Sequence, residues 1–165
     1  MAGHGVWVVT GASRGIGAAI ARLAVDAGHN VALIARGKSV LEFAQSLGDS
    51  AVGFQCDVAD SASVSETVDA IVARFGRVDV LVNNAGVHRG GKIHRLTDDA
   101  WHAVLQVNLT GAMNMTRAAV PHMSEGCAVV NVGAVVGFRG FPGDSAYASS
   151  KACLLYTSPS PRDKS

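Results

Sequence analysis

Tyr147 and Lys151 form a Tyr-x-x-x-Lys pair, a phenol and an ammonium that one helical turn would bring onto a common face. A phenol has a reference pKa of about 10, too high for efficient proton transfer near neutral pH. A neighbouring cation favours phenolate and lowers that value. The pair therefore suits moving a proton to or from the oxygen of a carbonyl or alcohol. Far upstream, Thr10-Gly11-Ala12-Ser13-Arg14-Gly15-Ile16-Gly17 is a glycine-rich turn between an apolar run and a helical period. Such a turn lets backbone amides approach a pyrophosphate, whose charge the helix dipole favours. No Gly-Lys-Ser/Thr follows it, so it is not a P-loop, and its spacing also departs from Gly-x-Gly-x-x-Gly. An ordinary tight turn is the competing reading when the motif is taken alone. Together, turn and pair suit a dinucleotide whose nicotinamide lies beside a carbonyl awaiting a proton.

The elements that must position these residues alternate from the start. Val6-Trp7-Val8-Val9 is a short strand ending in the glycine turn. A helix is expected from Ile16 to Ala27, with Ile16, Ile20, Leu23, Ala24 and Ala27 in helical period and Gly28 to stop it. Strands follow at Val31 to Ile34, Ala51 to Gln55 and Val78 to Val82, with helices from about Ser39 to Leu47 and from Ser61 to Phe75 between them. Thr97-Asp98-Asp99 is expected to cap a long helical region running to about Met123. A fifth strand, Cys127 to Val132, precedes a loop from Phe138 to Gly143 and the helix start bearing Tyr147. Strand–helix alternation of this kind predicts a doubly wound parallel sheet, a Rossmann-like α/β/α sandwich with ligands at the carboxyl ends of the strands.

Bulk properties narrow the partners. A chain of 165 residues suits one domain with a real core, and 48% hydrophobic against 16% charged residues argues against disorder. A net charge of +1 gives no reason to invoke nucleic acid or an anionic membrane. No apolar run reaches the roughly 18 residues of a membrane span, and residues 1–5 are no signal peptide. Cys56, Cys127 and Cys153 show neither paired nor metal-type spacing, so a reduced, cytoplasmic setting and no metal are expected. The partner that remains is a small-molecule substrate.

In this order the motifs resemble the short-chain dehydrogenase/reductase family over nearly all of residues 5–152. Thr10 to Gly17 matches the family's Thr-Gly-x-x-x-Gly-x-Gly cofactor turn, which implies cofactor contacts from Gly11, Ser13, Arg14, Gly15, Ile16 and Gly17. Asp57, with Val58 beside it, matches the acidic residue that bonds the adenine. Asn83-Asn84-Ala85-Gly86 matches the Asn-Asn-Ala-Gly motif, placing Asn84, Ala85 and Gly86 against the adenosine half. The resemblance implies Tyr147 as catalytic acid/base, Lys151 as its tuner and ribose holder, and Asn108 as anchor of a proton-relay water. A local helix irregularity is the structural alternative for Asn108. The implied activity is hydride transfer between NADP(H) and a ketone or secondary alcohol, in a homo-oligomer when full-length.

Charge decides the cofactor preference. An acidic side chain after the second strand would bind ribose hydroxyls and repel a 2′-phosphate, but Ala35 stands there, followed by Arg36. With Arg14 in the turn, two guanidinium groups suit a phosphate, the alternative being that both point to solvent. NADP(H) is preferred and NAD(H) remains possible.

One position departs from the family pattern. Ala134 occupies the place of a serine that would hydrogen-bond the substrate oxygen, and one lost donor typically costs roughly 10²–10³ in rate. A cofactor-binding regulator without turnover is the alternative that Ala134 favours. His88, His94 and Arg139 could line a substrate pocket, though ordinary surface roles are the favoured reading.

Residues 1–152 are thus expected to form the cofactor-binding domain, incomplete at its C-terminus, with the fifth strand a bare edge. Residues 153–165 are expected to be a disordered or non-native tail, since residues 153–163 resemble a translated sequencing adapter and Pro159 and Pro161 break a helix. A natural flexible terminus is the plainer reading of the same residues.

Overall fold

The computed structural model describes residues 5–157. Five parallel strands, β1 (Val6–Thr10), β2 (Asn30–Ala35), β3 (Ala51–Gln55), β4 (Val80–Asn83) and β5 (Ala128–Asn131), form one sheet in the order β3-β2-β1-β4-β5. The chain winds outward from β1 in one direction to β3, then returns to the other side of β1 for β4 and β5. That reversal leaves a crevice at the carboxyl ends of β1 and β4, where a doubly wound sheet binds its ligand.

The continuous apolar runs follow from burial on both faces. Val9, Val31, Leu33 and Val82 point to one side, against Ala21 and Ala24 of α1 (Gly15–Asp26) and Val40 and Ala44 of α2 (Ser39–Ser46). Val8, Ala32, Ile34 and Leu81 point to the other. There they meet Val64, Val68 and Ile71 of α3 (Ser61–Phe75). After α4 (Asp98–Leu105), Met115 and Ala119 of α5 (Gly111–Ala119) complete that layer. The expected α/β/α sandwich is the fold observed.

Helix ends follow the expected chemistry. Asp60 accepts from the amides of Ala62 and Ser63 to start α3, and Gly76, at φ 82°, ends it in the left-handed conformation. Thr97 accepts from the amide of Ala100 to start α4.

Four expectations differ. In α1 the apolar period points partly away from the sheet: Ile16 and Leu23 are 63% and 68% exposed, while Gly17, Ala21 and Ala24 are buried. Small residues let α1 lie close to the sheet, so the core stripe is the smaller set. β4 begins at Val80 rather than Val78, although Val78 is fully buried; its apolarity records burial, not strand pairing. The long helical region expected to about Met123 holds in extent, Asp98 to His122, but not as one uniform helix. A π-turn over Gln106–Thr110 joins α4 to α5, and a 3₁₀ turn at Val120–His122 accommodates Pro121. Finally, α6 runs Ser145–Thr157 and buries Leu154, so the disorder expected from Cys153 onward does not hold as far as Thr157. The remainder of that tail lies outside the described residues.

Candidate active site

A cleft of about 540 Å³ opens at the carboxyl ends of β1, β2, β3 and β4. From the glycine turn it is lined by Gly11, Ser13, Arg14, Gly15 and Ile16; after β2 by Arg36; after β3 by Asp57 and Val58; after β4 by Asn84, Ala85 and Gly86. Gly17 is the one expected cofactor residue of the turn that does not line it. A Cβ there would sit 2.4 Å from the Gly11 carbonyl oxygen and 2.5 Å from Asn84 Nδ2, so its role is to let α1 pack onto β1. Gly15 instead needs its φ of 59° and has open space around it.

Thr10 and Asn84 lock this end of the sheet. The Thr10 hydroxyl donates to the Val82 carbonyl and accepts from the amides of Asn84 and Ala85. Asn84 Nδ2 donates to the Thr10 carbonyl at 2.8 Å and to that of Gly11 at 3.3 Å. The turn is thus held by β4 and the strip that follows it. At its far side α1 begins with no side-chain cap and no acidic residue in its first turn, leaving its amide dipole for an anion.

Asp57 Oδ1 accepts from the Ala59 amide, which turns the chain after β3 and fixes the carboxylate at the cleft wall. Val58 is wedged against α5: its carbonyl accepts from Asn114 Nδ2, and a Cβ on Gly111 would lie 2.6 Å from its Cγ2. Both arginines are exposed at the rim.

The three candidate catalytic residues stand outside this lining but are tied to it. Asn108, buried in the π-turn, accepts from the Val87 amide through Oδ1 at 2.8 Å and donates Nδ2 to the Val87 carbonyl at 3.0 Å. Nδ2 also donates to Ser150 Oγ at 3.2 Å, and that hydroxyl donates to the Tyr147 carbonyl. The relay therefore joins the Val87 strip of the cleft to α6. The helix irregularity read as the alternative for Asn108 is present as the π-turn, and from it the Asn108 amide reaches Val87.

On α6, Tyr147 and Lys151 share a face, with Nζ 5.8 Å from the ring centroid. Lys151 is 3% exposed and donates Nζ to the Val132 carbonyl at 2.7 Å, at the end of β5. Burial pushes its ammonium pKa down from the usual lysine range. Ala134 follows β5 and carries no side-chain donor, as the sequence states.

Several lining residues were missed by the sequence reading: Ile34, Cys56, Val87 and Val107 line the cleft, as do Gly37 and Ser39 beyond β2. Their positions beside the motif residues on strand ends were the available signal. Of the histidines, His88 does more than sit on the surface, bonding Asp144 at 2.7 Å and meeting the Tyr147 ring edge-on. A smaller cleft of about 300 Å³ lies between α3 and α5, lined by Asn114 and Arg117 among others, away from Tyr147. Among the described residues, no helix is long and apolar enough to cross a membrane, and no cluster of three or more His, Cys, Asp or Glu is placed to hold a metal ion.

Comparison with known proteins agrees with this architecture. Residues 5–159 match the family model described as short chain dehydrogenase. A Staphylococcus aureus protein named 3-oxoacyl-[acyl-carrier-protein] reductase FabG is 38% identical over 155 residues, covering 90% of this chain and 63% of that one. Carbonyl reductase family member 4 of Danio rerio is 41% identical over 150 residues, covering 89% and 63% respectively. Among solved structures, a blue fluorescent protein from a metagenomic library in complex with NADPH superposes with a TM-score of 0.86 at 34% identity, over 92% of this chain and 64% of that one. A short-chain dehydrogenase from Streptomyces avermitilis gives 0.88 at 37% identity, over 93% and 58%. The chain thus spans less than two thirds of the length of these relatives. It belongs to the short-chain dehydrogenase family of oxidoreductases.

Proposed function

We propose that the protein binds NADP(H) in the cleft above β1 and β4 and interconverts a ketone and a secondary alcohol at Tyr147. The observation that carries this reading is Tyr147 and buried Lys151 on one face of α6, which a chain of hydrogen bonds ties to the cleft wall from Val87 through Asn108 and Ser150 to the Tyr147 main-chain carbonyl. The cleft suits a dinucleotide in size, and the uncapped start of α1 suits its pyrophosphate. Asp57 would accept from the adenine, Asn84, Ala85 and Gly86 would pack the adenosine half, and Arg14 and Arg36 would fork a 2′-phosphate. When bound, the nicotinamide supplies or takes up the hydride at the carbonyl carbon.

The chain's own work is with the proton. In the reducing direction the Tyr147 hydroxyl gives its proton to the oxygen as charge builds there, and in the oxidising direction it takes the proton back. Lys151 faces the phenol ring with an ammonium that favours the charged phenolate. It also serves to hold the nicotinamide ribose. Asn108 holds α6 at a fixed distance from the cleft through two hydrogen bonds to Val87 and one to Ser150. Its amide is also the proposed anchor of the water that returns protons from solvent.

Ala134 supports a second reading, a cofactor-binding protein of the same fold without turnover, because no serine hydroxyl is present there to polarise the substrate oxygen. Titration with NADPH and NADH, followed by cofactor oxidation with a panel of ketones, separates the two. Tight NADPH binding with turnover supports the reductase. Tight binding with none across the panel supports the regulator, and no binding of either cofactor rejects both.

A further inference from the structure

The start of α6 is attached to the rest of the molecule from two sides. On one side stands the Asn108–Ser150 contact already described. On the other, the strip after β4 meets the loop before α6. There the Gly91 amide donates to the Gly143 carbonyl at 2.8 Å, and His88 Nε2 lies 2.7 Å from Asp144 Oδ1. An ionised carboxylate only accepts, so Nε2 carries the proton and donates. Held this way, the imidazole meets the Tyr147 ring at 88° with 5.2 Å between centroids, the favoured edge-to-face arrangement of two aromatic rings.

Backbone approaches the histidine closely on one side. A Cβ on Gly90 would fall 3.1 Å from His88 Cε1, 3.1 Å from the Gly143 carbonyl and 3.4 Å from Asp144 Oδ1, so the backbone of the strip closes against the pair. The two partners are long-range in sequence yet join the two segments that flank the phenol. The His88 side chain is half-exposed and that of Asp144 21% exposed, so the pair adds little to stability and its effect is on local geometry.

We infer that His88, held by Asp144, is a positioning residue that sets the orientation of the Tyr147 ring. This rests on the reading of Tyr147 as the proton donor, because a misplaced hydroxyl matters only if it must meet a reacting oxygen. Edge contact from His88 bears on the ring itself, whereas Ser150 bonds only the Tyr147 main-chain carbonyl. Loss of either partner of the His88–Asp144 pair frees the ring on the side away from Ser150.

The pair is tested without turnover by incorporating 3-fluorotyrosine and recording fluorine NMR. The chain has two tyrosines, so Tyr147→Phe assigns the signal of interest. His88→Ala is expected to shift the Tyr147 resonance, Asp144→Ala to reproduce that shift, and the double variant to add nothing further, as partners in one contact behave. Asp144→Asn still accepts from Nε2–H and should return the signal toward the parent position. A resonance unmoved by His88→Ala, or shifts that add in the double variant, overturns the inference.

Kinetics on the same proteins separate it from the reading beneath it. His88→Ala should lower kcat by about ten- to a hundredfold, the range a misplaced reacting group commands. Substrate KM and NADPH affinity should stay within about twofold, whereas general loosening of the loop would move all three together. If Tyr147→Phe keeps full turnover, the proton-transfer reading fails while the fluorine result still decides the strut. If Tyr147→Phe abolishes turnover and His88→Ala changes neither signal nor kcat, the strut alone is overturned.

Discussion

At the carboxyl ends of β1 and β4, Thr10, Asn84 and the glycine turn bond one another over distances of 2.8–3.3 Å, and glycine is required because backbone meets backbone. Beyond the carboxyl end of β5, Val135, Phe138 and Phe141 stand in solvent, 64%, 72% and 65% exposed, and Tyr147 is held by side-chain contacts. The proposed cofactor end joins the turn after β1 to β4 and the strip beyond it, 72–75 residues on, by bonds between side chain and main chain and by close backbone approach at Gly11 and Gly17. The reaction end is assembled from α6, the π-turn and the strip after β4, elements distant in sequence. Substitutions at the first end should therefore act on folding and cofactor affinity, and those at the second on turnover.

The sharpest way to break that division is Ala134→Ser. Restoring a hydroxyl beside the substrate oxygen should raise kcat roughly 10²–10³-fold, about 3–4 kcal/mol, with cofactor affinity unchanged in a fluorescence titration. No gain would argue that Ala134 does not face the substrate. Arg36→Glu acts at the opposite end. Losing a charge-assisted contact worth about 1.5–3 kcal/mol should weaken NADPH binding tenfold or more, leave NADH binding intact and barely touch kcat.

Gly17→Ala sharpens the comparison from the folding side. Its Cβ would meet the Gly11 carbonyl at 2.4 Å, so thermal unfolding should report a loss of about 1–3 kcal/mol together with weaker binding of both cofactors. Lys151→Met has the smallest effect on stability and is the one with a pH signature. Burial lowers the folded-state pKa of Lys151 below its ordinary value of 10.5, so the unfolded chain binds more protons between the two. Stability from this group should rise as pH climbs through the folded pKa and level off above 10.5. Lys151→Met should remove that rise in urea titrations while lowering turnover, a separation of stability from chemistry.

The sheet was legible in the sequence because its strands are buried on both faces and read as unbroken apolar runs, as at Val31 to Ile34. The Thr97 cap and the Gly76 helix end were equally plain, since each acts within a turn, whereas the Asp60 cap was not read. What escaped depends on distance or on size. Ile16 and Leu23 carry the helical period outward because Gly17, Ala21 and Ala24 make the closer contact with the sheet. At Asn108 a helix irregularity was read, but the partner of its side chain, Val87 across the fold, was not. The pairing of His88 with Asp144 is of the same kind, two unremarkable residues that only the closed sheet brings together. Motif residues lining the cleft were readable because the glycine turn and the strand ends converge at the switch point by topology alone.

Ketone reduction by the parent protein and by Tyr147→Phe, with NADPH affinity measured on the same samples, tests the assignment of the proton donor most directly. Removing one hydroxyl at the phenol should cost roughly 10²–10⁴ in kcat, the range of a positioned acid, and leave NADPH binding unchanged. Turnover by Tyr147→Phe equal to that of the parent, at equal cofactor occupancy, would contradict the account.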